Sequence, residues 1–260
     1  MPGTGDQSLS AIVITMNEAS RVRACLSSIA GWVNEIVVLD SGSTDDTVTI
    51  AREYTDRVSV TDWPGFGPQK QRALEQASGD WILSVDADEV VPDRLRSEIV
   101  STLGTGPDAM AFSIRRLDHI GTRPLRYGRW GRSPVRLFRR AGARFSDDLV
   151  HETVIHPGGR VGRLRTPLLH YPYRDIPHAA DKLRRYARVW ARQRLAAGRR
   201  SNPVSGCLRA AFCLVRCLLL RHGWLDGRRG LQMALLHSRY TYAKHAGLWR
   251  LARGADSDQS

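Results

Sequence analysis

The 260-residue chain has only four cysteines, Cys25, Cys207, Cys213 and Cys217, and none stands in the paired spacing of a structural zinc site. Three of them fall in one apolar helical stretch, which reads as structural thiols kept in a reducing compartment. Met1 to Ser8 lacks a basic segment followed by an apolar core, so no secretory signal is expected. Long apolar runs are also missing. The longest, Cys207 to Leu220, is interrupted by Arg209 and Arg216 and reads as too short and too charged to cross a bilayer. No G-x-G-x-x-G follows the first strand and no G-x-x-x-x-G-K-[ST] occurs, so neither a dinucleotide fingerprint nor a P-loop is present. RNP, helix-turn-helix and zinc patterns are absent, which speaks against a nucleic-acid-binding protein. There is no internal repeat.

Charge of one sign is missing locally. Residues 1–110 hold 8 Lys/Arg against 17 Asp/Glu, a net of −9, whereas residues 111–260 hold 31 against 9, a net of +22. From Lys182 to Leu225 there are 11 Lys/Arg and no acid. That asymmetry predicts an anionic partner for the second half: nucleic acid, an anionic membrane or a phosphorylated substrate. With Trp190, Phe212, Trp224 and Trp249 interleaved, the expected partner is an anionic membrane surface, met peripherally by a cytoplasmic protein.

What is present is an alternation. Strands are expected at Leu9–Thr15, Glu35–Asp40, Val58–Asp62 and Trp81–Asp86. The helices between them place Val22, Leu26 and Ile29 inside, begin at a cap near Thr44, and run from Gln69 to Ala77. Strand and helix in turn predict an open α/β sheet with parallel strands, whose ligands lie outside the carboxyl ends. Shorter strands follow (Ala111–Ile114, Val135–Phe138, Val150–Ile155, Leu164–His170), then helices from Asp175 to about Leu251. Polar or acidic groups fall at three strand ends: Asn17 and Glu18, Asp40, and Asp86 with Asp88. Asp86 and Asp88 are two apart, so in extended chain both point the same way. Paired hard oxygen ligands there suit Mg²⁺ or Mn²⁺ that also holds a diphosphate.

Three segments, Ser10–Glu18 (SAIVITMNE), Val38–Thr47 (VLDSGSTDDT) and Ser84–Glu89 (SVDADE), resemble family 2 glycosyltransferases of the GT-A fold. Pro64–Ala73 (PGFGPQKQRA), Asp148–Glu152 (DLVHE) and Gly223–Gly230 (GWLDGRRG) resemble the bacterial lipopolysaccharide-core β-glucosyltransferase branch. The resemblance implies a GT-A nucleotide-sugar-binding, Rossmann-like mixed sheet with a basic helical C-terminal extension. The implied division is a catalytic domain over 1–172 (donor half about 9–105, acceptor half about 106–172), a basic helical region over 173–253 and a polar tail over 254–260. It implies an inverting, metal-dependent transfer of a sugar, glucose by the branch, from a nucleotide-sugar such as a uridine diphosphate sugar to a lipopolysaccharide inner core or another anionic glycolipid. A polyprenyl-phosphate or polysaccharide acceptor is the alternative.

By the same resemblance, the base of the donor sits near Thr15, Asn17 and Glu18, and Asp40 reaches the base or ribose. Asp40 could instead close the Ser/Gly turn that follows it. Lys70 and Arg72 lie near the diphosphate, and Asp86 and Asp88 form the metal motif, with Asp88 the direct ligand. The general base must face away from the leaving diphosphate. Asp147, Asp148 and Glu152 are the candidates, Glu152 being favoured, although His151–Glu152 replaces the usual acidic pair. His170 is the candidate third metal ligand and His151 its alternative.

Overall fold

The structure, a computed structural model, describes residues 7–128, 133–147 and 152–254. Its contacts divide into two compact units. The first holds residues 1–116 and 131–170, the second residues 117–130 and 171–260.

The first unit is built on the alternation. It begins β1 (Leu9–Thr15), α1 (Ala19–Ile29), β2 (Glu35–Asp40), α2 (Thr47–Arg52) and β3 (Val58–Val60). It continues α3 (Phe66–Gln76), β4 (Trp81–Asp86), β5 (Glu89–Val90) and α4 (Asp93–Gly104). Then come β6 (Ala111–Ile120), β7 (Arg123–Pro124), β8 (Val135–Arg139), β9 (Arg144–Phe145), β10 (Val154–Ile155) and β11 (Val161–Tyr173). Strands β6 and β11 run on into the second unit, and β7 belongs to it.

Among the described residues the main sheet has nine strands in the order β3-β2-β1-β4-β8-β6-β11-β5, with β7 beside β6. β3, β2, β1 and β4 are mutually parallel, while β8 is antiparallel to β4 and to β6, and β11 to β5. The mixed sheet implied by the family resemblance is therefore observed. β1 is buried along its whole length, as a strand covered on both faces must be. Leu9, Ala11 and Val13 turn to one side, with Val22, Cys25, Leu26 and Ile29 of α1 and Leu95 and Ile99 of α4. Ile12 and Ile14 turn to the other, with Ala73 and Leu74 of α3. That is the period-two alternation of a strand read in its packing.

Several boundaries differ from expectation. α3 starts at Phe66, three residues early, because Pro68 falls in the first turn, where its missing N–H costs nothing. α2 begins at Thr47 after Asp46, so Thr44 is not its cap. Thr44 instead donates its backbone N–H to Asn17 Oδ1 at 2.9 Å. β11 extends from Val161 to Tyr173, well past Leu164–His170 at both ends.

The second unit contains α5 (Ile176–Ala196), α6 (Pro203–Val215) and α7 (Gly227–Leu251), with a π-helical turn at Arg216–Leu220 and a 3₁₀ turn at Gly223–Asp226. Asp175 and Asn202 cap α5 and α6 by accepting from His178 N and Ser205 N. The Gly223–Gly230 segment is a packing motif here. A Cβ at Gly230 would lie 1.9 Å from Gly223 O, and Asp226 accepts from Arg126 N and Tyr127 N at 3.1 and 3.0 Å.

Candidate active site

The parallel strands β1, β2 and β4 all end on one edge of the sheet, at Thr15, Asp40 and Asp86. Thr15 and Asp40 are register partners, and the Thr15 hydroxyl donates to Asp40 Oδ2 at 2.7 Å. Asp40 is wholly buried. It also accepts from Gly42 N at 2.9 Å, Ser43 N at 2.7 Å and the Ser43 hydroxyl at 2.6 Å. Four donors occupy a carboxylate whose two oxygens offer about four sites. In this arrangement Asp40 clasps the turn after β2.

The loop after β1 is tied to that turn. Asn17 adopts φ +55, a left-handed conformation that Asn tolerates better than most residues. Its backbone N–H donates to the Ser43 hydroxyl at 2.7 Å. Glu18 N donates to Thr47 Oγ1 at 2.8 Å and Ala19 N to Asp45 Oδ2 at 3.1 Å. Glu18 itself pairs with Arg21 at 3.1 Å. The two loops thus form one cross-linked platform at the sheet edge.

Beside the platform stands a cluster of six charges. Lys70 of α3, almost fully buried, places Nζ 2.7 Å from Asp86 Oδ1 and 2.6 Å from Glu152 Oε1. Arg136 of β8 pairs with Asp86 and lies 2.6 Å from Glu89 Oε1. Arg116 of β6 stands 3.8 Å from Asp86 and 3.6 Å from Glu89. Burial alone would raise the Asp86 carboxyl, but the Arg136 and Lys70 cations override it and hold it well below the usual carboxylate range. At Glu89 burial wins. Arg136 opposes it, the negative charge on Asp86 reinforces it, and the carboxyl is pushed up.

Asp88 lies in the turn between β4 and β5. The antiparallel pairing of β5 with β11 sets His170 opposite Glu89, and this carries His170 Nε2 to 3.5 Å from Asp88 Oδ2. Arg21 Nη1 is 3.7 Å from the same oxygen. Two adjacent ligands of an octahedral ion bound at 2.0–2.1 Å are about 3 Å apart, closer than the 3.5 Å between these two atoms. No group of three or more His, Cys, Asp or Glu able to hold a metal is present among the described residues.

Of the residues expected from the sequence, Lys70, Asp86 and Glu152 meet in one cluster. Asp88 meets His170, and Thr15, Asn17, Glu18 and Asp40 share the platform. Arg72 is not brought in. Two positions from Lys70 on a helix, it points elsewhere and pairs at 2.6 Å with the exposed Asp62. Asp147 is exposed, and Asp148 and His151 lie outside the described residues. Sequence reasoning missed Glu89, Arg116 and Arg136. Arg136 left a signal, since a cation amid Val135, Leu137 and Phe138 in a strand needs buried acids to pair with.

Residues 10–164 match the family described as Glycosyl transferase family 2. The chain belongs to this family. A lipopolysaccharide core biosynthesis glycosyltransferase, LpsC of Rhizobium meliloti (strain 1021), is 32% identical over 92% of this chain and 93% of its own. An uncharacterized glycosyltransferase of Rickettsia felis is 29% identical over 94% of this chain and 89% of its own. A glucosyl-3-phosphoglycerate synthase of Mycobacterium tuberculosis, solved with Mn²⁺, uridine diphosphate and glucosyl-3-phosphoglycerate, is 28% identical over 45% of this chain and 46% of that one. The TM-score of that match is 0.38. The chain is thus a family 2 glycosyltransferase whose sheet has the mixed, GT-A-type order expected of it.

Proposed function

We propose that this glycosyltransferase moves a sugar, with inversion, from a uridine diphosphate sugar to the inner core of lipopolysaccharide at the cytoplasmic face of a membrane. The observation that carries the acceptor class is the near-full-length similarity to a lipopolysaccharide core glycosyltransferase. Glucose as the sugar rests on the resemblance of Pro64–Ala73 and Gly223–Gly230 to the β-glucosyltransferase branch.

The donor lies at the carboxyl edge of the parallel strands, where open sheets bind ligands. Its base meets Thr15, Asn17 and Glu18, while Asp40 holds the turn that shapes the platform. Asp88 and His170 would hold a Mg²⁺ or Mn²⁺ ion, which when bound offsets the charge gathering on the leaving diphosphate. Asp86, surrounded by Lys70 and Arg136, orders the cations beside the donor. Glu152 takes the proton of the acceptor hydroxyl as its oxygen bonds to the anomeric carbon and the bond from that carbon to the diphosphate breaks. Lys70, in contact with both Glu152 and Asp86, positions the base.

The test is transfer by the purified protein with Mn²⁺, deacylated inner-core oligosaccharide and UDP-glucose, UDP-galactose or UDP-N-acetylglucosamine in turn, followed by product mass. A product one hexose heavier from UDP-glucose is expected. Nucleotide release that the oligosaccharide does not accelerate would reject the acceptor.

A further inference from the structure

Helix α6 is amphipathic in the reverse sense. The residues it buries are small: Gly206, Ala210 and Cys213, with Cys217 in the following turn. These sit against α7, where Ser238 donates to Ala210 O at 2.8 Å and a Cβ at Gly206 would meet His245 at 3.1 Å. The large apolar residues face outward. Val204, Leu208, Phe212, Val215 and Leu219 follow one another at steps of four, four, three and four, a single helical stripe. Their exposure runs from 46% at Val215 to 70% at Val204. Leu220 and Trp224 continue the apolar surface at 66% and 57%. A continuous apolar face of this kind marks an interaction site.

The segment Pro203–Leu220 is 18 residues long, has a mean hydropathy of 1.6 and is only 22% buried. Counted from Pro203 rather than Cys207, it reaches the length and composition of a candidate span and no more. At 1.5 Å per residue it spans about 27 Å, just under a hydrocarbon core of about 30 Å. Its inward face is occupied by α7, however, and Arg209 is exposed, so only one side of the helix is available to lipid.

We propose that this stripe lies in the interfacial plane of an anionic bilayer, its apolar side chains among the acyl chains and its arginines at the headgroups. The inference deepens the membrane-face reading above. Charge selects the occupant. The 11 Lys/Arg from Lys182 to Leu225 have no acid among them, so a second copy docked through this same face would bring like charges together, whereas anionic headgroups neutralise them. Phe212 under Arg216, with the guanidinium 5.6 Å from the ring centre, and Trp224 are the amphipathic and aromatic groups that favour the interface.

The experiment is flotation of the full chain with vesicles of phosphatidylcholine alone or mixed with phosphatidylglycerol. The comparison is a variant carrying Leu208→Ser, Phe212→Ser and Leu219→Ser, all exposed, so that folding is spared. The wild type should float with the anionic vesicles and the variant about tenfold less. Both should transfer sugar equally to the soluble oligosaccharide, which separates failure of the surface from failure of the function. Equal flotation of variant and wild type would overturn the proposal. So would a lipid-free dimer that the variant dissolves, or retention of the wild type in membranes after alkaline carbonate, which would mean a spanning helix.

Discussion

At the carboxyl edge of the sheet, Lys70, Arg116 and Arg136 are met by Asp86, Glu89 and Glu152. From Lys182 to Leu225, by contrast, cations run without a single acid and large apolar side chains face outward. The first unit pairs these charges with one another, whereas the Lys182–Leu225 run of the second carries a large excess of one sign. Internal pairing holds groups in place for a reaction, because a buried charge without a partner is costly. An excess of cations on an exposed helix gains further energy when an anionic surface arrives. One chain thus carries a preorganised site and a docking surface, and the two can be broken separately.

The largest effect is expected at the paired end. Glu152→Gln should lower kcat by about 10²–10⁴-fold with nucleotide affinity unchanged; a variant with full turnover would remove Glu152 from the reaction. Arg136→Met removes the nearer of the two guanidinium groups that Asp86 and Glu89 share. It should cost about 3–5 kcal/mol in denaturant unfolding, and a loss under 1 kcal/mol would mean the cluster is not holding the site together.

An acid-sensitive element in the second unit comes next. Burial, reinforced by the nearby Lys244 and opposed by Asp118, lowers His237 to about 4. The unfolded chain therefore takes up this proton before the folded one does. Stability should fall as pH drops from about 6.5 to about 4, by at most roughly 3 kcal/mol. A stability curve for His237→Gln with the same slope in that window would contradict this.

Smaller still, His170→Ala and Asp88→Asn should each weaken Mn²⁺-dependent nucleotide binding about 10–100-fold in calorimetry. Binding that stays unchanged in both would displace the metal from this pair. Arg72→Ala, which breaks only an exposed ion pair with Asp62, should change stability by less than about 1 kcal/mol. A loss of donor binding in that variant would return Arg72 to the site.

The parallel half of the fold was legible because strands buried on both faces read as unbroken apolar runs. Leu9–Thr15, Glu35–Asp40 and Trp81–Asp86 agree with the observed strands residue for residue. Their carboxyl ends, and hence Thr15, Asp40 and Asp86, followed directly. The extent of β6 and β11 was not legible, since Arg115, Arg116 and Asp118 in one and the alternating Arg163 and Arg165 in the other hide a strand among charges. The partners of Asp86 depend on β8 lying antiparallel to β4 and β6, a pairing that no local pattern encodes. His170 was named from a resemblance, and its approach to Asp88 depends on the pairing of β11 with β5, some eighty residues away. The outward stripe of α6 was visible as hydropathy, but not as exposure. Only the packing of its small face on α7 shows which side is left.

We propose a metal-dependent uridine diphosphate site at the edge of the parallel strands. Its most direct test is the thermal stability of the protein with UDP, GDP or CDP, each with and without Mn²⁺, in the wild type and in Asp88→Asn. A ligand at 100 times its Kd adds about 2.7 kcal/mol, which is readily seen. Stabilisation that needs both UDP and Mn²⁺, and is lost in Asp88→Asn, is the predicted result. No stabilisation by any nucleotide, or an equal one without metal that persists in Asp88→Asn, would contradict it.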